Sequence, residues 1–359
     1  MFSKLLLRFN ILVVFISFLT YLAPYVNIKS LWPVSLLALF YPFLLLANIL
    51  LIGWWLFKKK KAALLSIIWL FAGWGHFSTL VGTHLGKEAA TKSSIGVLSY
   101  NCRSFTKDNK RTNPVALKEF YNFLNEEEIK IACFQEFPFA KDKKRTKAID
   151  EIVQNSALKY FYNIPNSGLL IMSSYPIKGV LTHHFRENNR SNGFQYADLT
   201  LGKNRIVRLF NIHLQTNAVT RSADKLAKKE NYQDKETWLT IRGMLGKYRH
   251  SAITRIEQAK EIQKEIQNSP YPVIVCGDFN DVPLSRTYNL LRGKLRDGFV
   301  DAGSGLGITF AESIPGLKID YILFSDELES DYSCVYHKFY SDHYPIYCRL
   351  NWLEKEANK

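Results

Sequence analysis

Three stretches in the first 83 residues constrain this chain more than anything that follows. Residues 9–26 (FNILVVFISFLTYLAPYV), 31–57 (LWPVSLLALFYPFLLLANILLIGWWLF) and 62–82 (AALLSIIWLFAGWGHFSTLVG) contain no acidic residue, Lys or Arg. Each is about long enough to cross ~30 Å of hydrocarbon as a helix. Trp and Tyr sit near their ends, as at membrane interfaces. A cleaved signal peptide fits the first run poorly, because no small-x-small site follows and two more apolar runs come directly after. Lys4 and Arg8 precede the first run, and Lys58, Lys59, Lys60 and Lys61 fill the loop between the second and third, whereas the first loop has only Lys29. The positive-inside rule then expects a multi-pass protein of three membrane helices with a cytoplasmic N-terminus. Everything after about residue 84 is expected outside: in a bacterium, periplasmic or extracellular, on the inner (cell) membrane. Residues 1–83 read as an anchor and 84–92 as a linker.

The remaining chain is long enough for a sizeable core. Net charge is +15, from 47 Lys and Arg against 32 Asp and Glu, which suits an anionic partner or substrate as well as membrane-flanking and solvated charge. The five Cys have no zinc spacing. Cys102, Cys133 and Cys276 fall in apolar strands and read as buried small hydrophobes, while Cys334 and Cys348 are candidates to pair in an oxidising compartment.

From residue 93 to 353 the texture is that of an α/β domain, followed by a tail over 354–359. Short apolar runs (IGVLSY, IKIACF, GLLIMS, RIVRLFNI, PVIVC, KIDYILF, YPIYCRL) read as strands, and 114–126 and 252–267 as helices. The polar, basic stretch 220–250 reads as a solvated connection, helical in part, in preference to a substrate-facing insertion. Six strands end or begin in a carboxylate, amide or imidazole: Asn101, Glu136, His213, Asp278 with Asn280, Asp320, and Asp342 with His343. One such residue is ordinarily a turn or cap. Six suggest convergence on one cleft. Oxygen ligands suit a hard cation such as Mg²⁺, the two imidazoles suit proton transfer near neutral pH, and the amides suit stabilisation of a phosphoryl oxygen. Together they describe metal-assisted hydrolysis of a phosphoester.

These residues stand in segments that resemble the endonuclease/exonuclease/phosphatase superfamily, in that family's order: LSYNCRSF (98–105), CFQEF (133–137), GLLIMSSYPI (168–177), FNIHLQT (210–216), TRIEQA (254–259), GDFNDVP (277–283), TF with KIDYILFS (309–325) and SDHYPI (341–346). The resemblance implies a four-layer sandwich of two mixed β-sheets flanked by helices, with the site at one end. It implies Glu136 as principal Mg²⁺ ligand, with Asn101 and Asp342 close to the metal and Mn²⁺ as an alternative ion. His343 resembles the general base or phosphate-contacting imidazole, and Asp320 the carboxylate that orients it. Asp278 resembles the residue that holds or deprotonates the attacking water, Asn280 a stabiliser of the pentacovalent phosphorus, and His213 the imidazole assisting the leaving oxygen. Arg103 stands where abasic-site endonucleases carry an acid, which argues against that specialisation and leaves Arg103 to contact a phosphate. Lys318 replaces the usual Arg of the RIDYI segment. The expected substrate is a phosphodiester, in nucleic acid or a lipid headgroup. A phosphomonoesterase and a non-catalytic scaffold are the weaker readings. No protein partner is expected.

Overall fold

Two sheets face each other across an apolar layer. In this computed structural model the described residues are 2–84, 93–105, 114–138, 143–164, 167–186, 189–202, 205–216, 235–311, 316–337 and 341–353. The expected linker beyond His84, the tail 354–359 and the first half of the 220–250 stretch lie outside them. The strands are β1 (Val81–Thr83), β2 (Ile95–Asn101), β3 (Ile129–Gln135), β4 (Tyr160–Asn163), β5 (Leu170–Ser173), β6 (Ile177–Arg186), β7 (Asn189–Gly202), β8 (Arg205–His213), β9 (Val273–Asp278), β10 (Arg296–Asp297), β11 (Gly303–Leu306), β12 (Asp320–Phe324), β13 (Leu328–Val335) and β14 (Ile346–Trp352). One sheet has eight strands in the order β1-β11-β13-β14-β2-β3-β5-β4, the other six in the order β10-β12-β9-β8-β7-β6. Both are mixed: β2 pairs β3 in parallel and β8 pairs β9 in parallel, while most other pairs are antiparallel.

Side-chain alternation builds the layers. Ile95 and Val97 of β2 enter the inter-sheet core with Ile274 and Cys276 of β9, while Leu98 and Tyr100 turn to the other face and meet Phe120, Phe123, Ile149 and Ile152 of helices Pro114–Glu126 and Lys143–Asn155. On the far side Val275, Phe210 and Ile212 meet Ala259, Ile262 and Leu291 of helices Lys235–Gln267 and Arg286–Arg292. The arrangement is therefore helix, sheet, sheet, helix, as expected. All five cysteines carry free, buried thiols, including Cys334 and Cys348, so the pairing considered for those two is not formed.

The N-terminal region departs from expectation. Among the described residues only Phe2–Thr20, at 19 residues, is a single helix long and apolar enough to cross a membrane. The second run breaks into Ile28–Ala38 and Tyr41–Phe57, bent by 49°, which count as at most one more span. The third run yields Ala63–Ala72, ten residues or about 15 Å. Local chemistry explains the breaks. Pro33 and a non-helical Leu31 disturb the second run, and Pro42 starts a new helix. Gly73 caps Ala63–Ala72, and a Cβ there would run into the Tyr21 ring. Three straight spans are thus replaced by one, or two with the bent pair.

These helices form a bundle with polar contacts inside and apolar side chains outside. Asn10 Nδ2 donates to Ser66 Oγ at 2.8 Å, Trp55 Nε1 to Asn10 Oδ1 at 3.0 Å and Asn48 Nδ2 to Ser17 Oγ at 3.0 Å. Phe9, Ile11, Phe15, Leu46, Leu50 and Phe71 are exposed. The bundle does not hang free. Ala23, Ala38, Tyr41, Leu45 and Trp69 share a cluster with Val282, Leu284, Leu317 and Ile319 of the α/β domain. Arg286 Nη1 donates to Pro24 O at 3.1 Å, and β1 extends the eight-stranded sheet antiparallel to β11.

Candidate active site

Parallel pairing of β8 with β9 sets His213 beside Asp278 in register, and antiparallel pairing of β12 with β9 sets Asp320 beside Asp278 on the other side. In the facing sheet β2 and β3 end side by side at Asn101 and Gln135, just before Glu136. The two sets meet across the sandwich. Asn101 Nδ2 donates to Asp278 Oδ2 at 3.0 Å and to Glu136 Oε1 at 3.3 Å. His213 Nε2 lies 3.6 Å from Asp278 Oδ2 and 3.7 Å from Glu136 Oε1. His343 Nε2 lies 3.8 Å from Asp278 Oδ2, while its Nδ1 contacts Asp320 Oδ2 at 3.0 Å. Asp278 is thus the hub.

The imidazoles are oriented by what holds their other nitrogen. His213 Nδ1 faces the Ser191 carbonyl at 2.8 Å. A carbonyl only accepts, so Nδ1 carries a proton, and Nε2 is turned toward the two carboxylates. That Nε2 is buried without a hydrogen-bond partner. Asp320 orients His343 in the same way. Burial alone would lower the His343 imidazole, but Asp320 and Asp278 outweigh it and push it up to about 10. Burial raises the Asp278 carboxyl to about 6, against the pull of His343 and His213.

Backbone strain gathers here. Among the described residues, Arg103, Ser104, Phe105, Glu136 and Asn280 all have positive φ between 41° and 54°. The left-handed turn at Asn280 lets its N–H reach Asp278 Oδ1 at 2.8 Å. Gly277 precedes it because a Cβ there would meet Ile212 O at 2.1 Å.

Every expected site residue lies in or beside this cleft, in different settings. Glu136, half-buried, presents its carboxylate to it. Asn280 Nδ2 is engaged by Leu214 O and Asp278 Oδ2, so in this arrangement it braces Asp278. Asn101 shows its donor end to Glu136 and Asp278, while its Oδ1 accepts from Arg103 N, so ligation of a cation through Oδ1 requires the amide to turn over. Arg103 Nη1 and Asp342 Oδ2 pair at 2.6 Å. Lys318 is fully buried, with Nζ 3.6 Å from Asp297, away from the cleft. Among the described residues, one ligand atom from each of Asp278, Asp320 and His343 lies within 4.8 Å of the others.

Four residues to which the sequence assigned no role support these. Gln135 Nε2 donates to Asn211 Oδ1 at 2.7 Å, and Asn211 Nδ2 donates to the carbonyls of Phe134 and Leu170, bolting one sheet to the other directly behind Glu136 and His213. Ser341 Oγ donates to Asn101 O and accepts from His343 N. Arg255, fully buried, reaches both Asp281 and the Gln215 carbonyl, joining the loops after Asp278 and His213. All four stand in the family-like segments CFQEF, FNIHLQT, TRIEQA and SDHYPI, which was the signal that could have found them.

A fold of this layering with this constellation defines a phosphoesterase class. The chain belongs to the Endonuclease/Exonuclease/phosphatase family, whose model matches residues 98–343. Enzymes of the family are hydrolases of phosphoric ester bonds and depend on a divalent metal. A domain of unknown function matches residues 3–80. The CCR4-Not complex 3'-5'-exoribonuclease subunit Ccr4 of Coccidioides immitis (strain RS) is 33% identical over 96 residues, which is 26% of this chain and 12% of that protein. Humanized D. rerio TDP2 has a TM-score of 0.52 at 15% identity, covering 72% of this chain and all of that one. An endonuclease/exonuclease/phosphatase from Bacteroides vulgatus has a TM-score of 0.51 at 16% identity, covering 73% of this chain and all of that one. At such identities the likeness to the solved structures concerns the fold alone.

The residues present fit a cation. A half-exposed carboxylate, a second carboxylate and an orphaned buried imidazole nitrogen surround one point of the cleft.

Proposed function

We propose that this chain is a Mg²⁺-dependent phosphodiesterase tethered to a membrane, with the α/β domain on the outer face. The observation that carries the chemistry is the convergence of Glu136, Asn101, His213, Asp278 and His343 from both sheets on one cleft. Glu136 would hold the cation, with Asn101 and Asp342 nearby, and Mn²⁺ is the alternative ion. Bound there, the metal supplies a Lewis acid for a phosphoryl oxygen. Asp278, at the centre, holds the attacking water and receives its proton. His343, fixed through Nδ1 by Asp320, presents Nε2 to the phosphoryl oxygens. His213, fixed through Nδ1 by Ser191, presents Nε2 toward the leaving oxygen. Asn280 keeps Asp278 aimed, and Arg103 transfers from Asp342 to the substrate phosphate.

Support for the tether comes from a helix long enough to span, the bundle's inside-polar and outside-apolar pattern, and the Lys58–Lys61 loop. The bilayer reading is a bacterial cell membrane with the N-terminus cytoplasmic. A lipid-headgroup phosphodiester is the second substrate reading, favoured by the tether itself. The test is hydrolysis of bis(p-nitrophenyl) phosphate by the full chain in detergent. Turnover that requires Mg²⁺ and disappears in Asp278→Ala supports the reading. A folded protein that is inactive with either ion overturns it.

A further inference from the structure

The long helix Lys235–Gln267 begins well beyond the catalytic rim. β8 and β9 are parallel and both end at the site, so the chain leaving His213 must return to the opposite end, and this helix is the return. Two residues fix its level. Arg255 bonds Gln215 O and Asp281, and Gln258 Oε1 accepts from Gln215 N. Gln215 and Asp281 follow His213 and Asp278 by two and three residues. Residues 255–258 are therefore level with the rim. Residues 235–251 continue past it for about 25 Å at 1.5 Å per residue.

The root of this projection is packed. Tyr248, Ala252 and Ile256 sit against Ile28, with Trp32 and Leu36 alongside, and Arg249 donates to Lys29 O. Its outer part is open: Trp238 is 64% exposed, and Arg242 and Lys247 are exposed. Trp238, Arg242, Leu245 and Arg249 stand at i, i+4, i+7 and i+11, within about 60° of arc at 100° per residue. Over 235–250 there are four basic residues (Lys235, Arg242, Lys247, Arg249) and one acidic residue, Glu236. A ring and guanidinium groups sharing one stripe suit stacking on a base with contact to its phosphates. A helix lying on a membrane instead separates its cations from its apolar face.

We propose that residues 235–250 form an arm that binds single-stranded nucleic acid extending away from the scissile bond, with Trp238 stacking on a base and Arg242 on a phosphate. This rests on the phosphodiesterase reading and names its substrate class. An arm of this length spans several nucleotides, so it acts on long strands and not on short ones.

Binding is measured by fluorescence anisotropy on the full chain in detergent with EDTA, using labelled single-stranded DNA of 20 and of 4 nucleotides. Trp238→Ala and Arg242→Ala are each expected to weaken the 20-mer about tenfold and the 4-mer little. Arg242→Ala is also expected to flatten the salt dependence. Both variants should hydrolyse bis(p-nitrophenyl) phosphate at the parent rate with Mg²⁺. An unchanged 20-mer affinity in both variants overturns the proposal. So does loss of binding to phosphatidylglycerol vesicles with the 20-mer unaffected, which makes the arm a membrane element. Absence of bis(p-nitrophenyl) phosphate hydrolysis in the parent defeats the phosphodiesterase reading separately, since the anisotropy needs no turnover.

Discussion

His343 and Asp278 bind protons more tightly in the folded chain than in the unfolded one. His343 rises from 6.5 to about 10, and Asp278 from 3.8 to about 6. For a raised group the stabilisation is complete below the unfolded value and lost as pH climbs through the folded one. The metal-free protein is therefore expected to lose stability from pH 4 to 6 through Asp278 and again from pH 6.5 to 10 through His343, as read by denaturant melts across that range. Asp320→Asn removes the carboxylate that holds His343 Nδ1, so it should flatten the upper limb and reduce kcat roughly a hundredfold or more. Asn211→Leu tests the bolt between the sheets. It removes the best acceptor of Gln135 Nε2 and the side-chain donor to two carbonyls in a dry layer, and is expected to lower stability by about 2–4 kcal/mol in a chemical melt. The site residues were legible in the sequence because a carboxylate or imidazole at the end of an apolar strand is conspicuous. Asn211 was not, because a polar residue within a strand looks the same whether it bridges two sheets or faces water. The Arg103–Asp342 pair was hidden for another reason: 239 residues separate its partners, and no local pattern joins them.

At the scale of elements, the strands were readable because both faces are buried and the runs are continuous, as in β2 and β9. The helical bundle was misread because composition measures apolarity, and composition does not register a break. Pro33, Pro42 and Gly73 cut two apolar runs that a window average treats as whole. The turn into the site has its own requirement. Gly277→Ala puts a Cβ against the Ile212 carbonyl at a backbone angle that disfavours side chains. It is expected to destabilise by about 3 kcal/mol or more and to abolish turnover, because β8 and β9 must separate to admit it. A normal melting temperature in that variant would contradict the close approach described here.

For the whole molecule, the bundle and the α/β domain behave as one unit. Val282, Leu284, Leu317 and Ile319 are nearly inaccessible because the helices cover them. Val282 lies two residues from Asn280, and Ile319 is next to Asp320. Phe310, packed against the same cluster, touches the His343 ring at 5.1 Å between centroids. Removing residues 1–80 is thus expected to expose an apolar patch beside the catalytic loops and to lower both the melting temperature and kcat, measured against the full chain in detergent. An equally stable and equally active fragment would make the bundle a passive tether. The central claim is that the cleft around Asp278 hydrolyses phosphodiesters with a divalent cation. It is tested most directly by steady-state hydrolysis of bis(p-nitrophenyl) phosphate with the full chain, with Mg²⁺ and with EDTA, alongside Asp278→Ala and His343→Ala. The expected result is turnover with Mg²⁺, none with EDTA, and a loss of at least about a hundredfold in each variant. Turnover that survives EDTA, or is unchanged in Asp278→Ala, would contradict it.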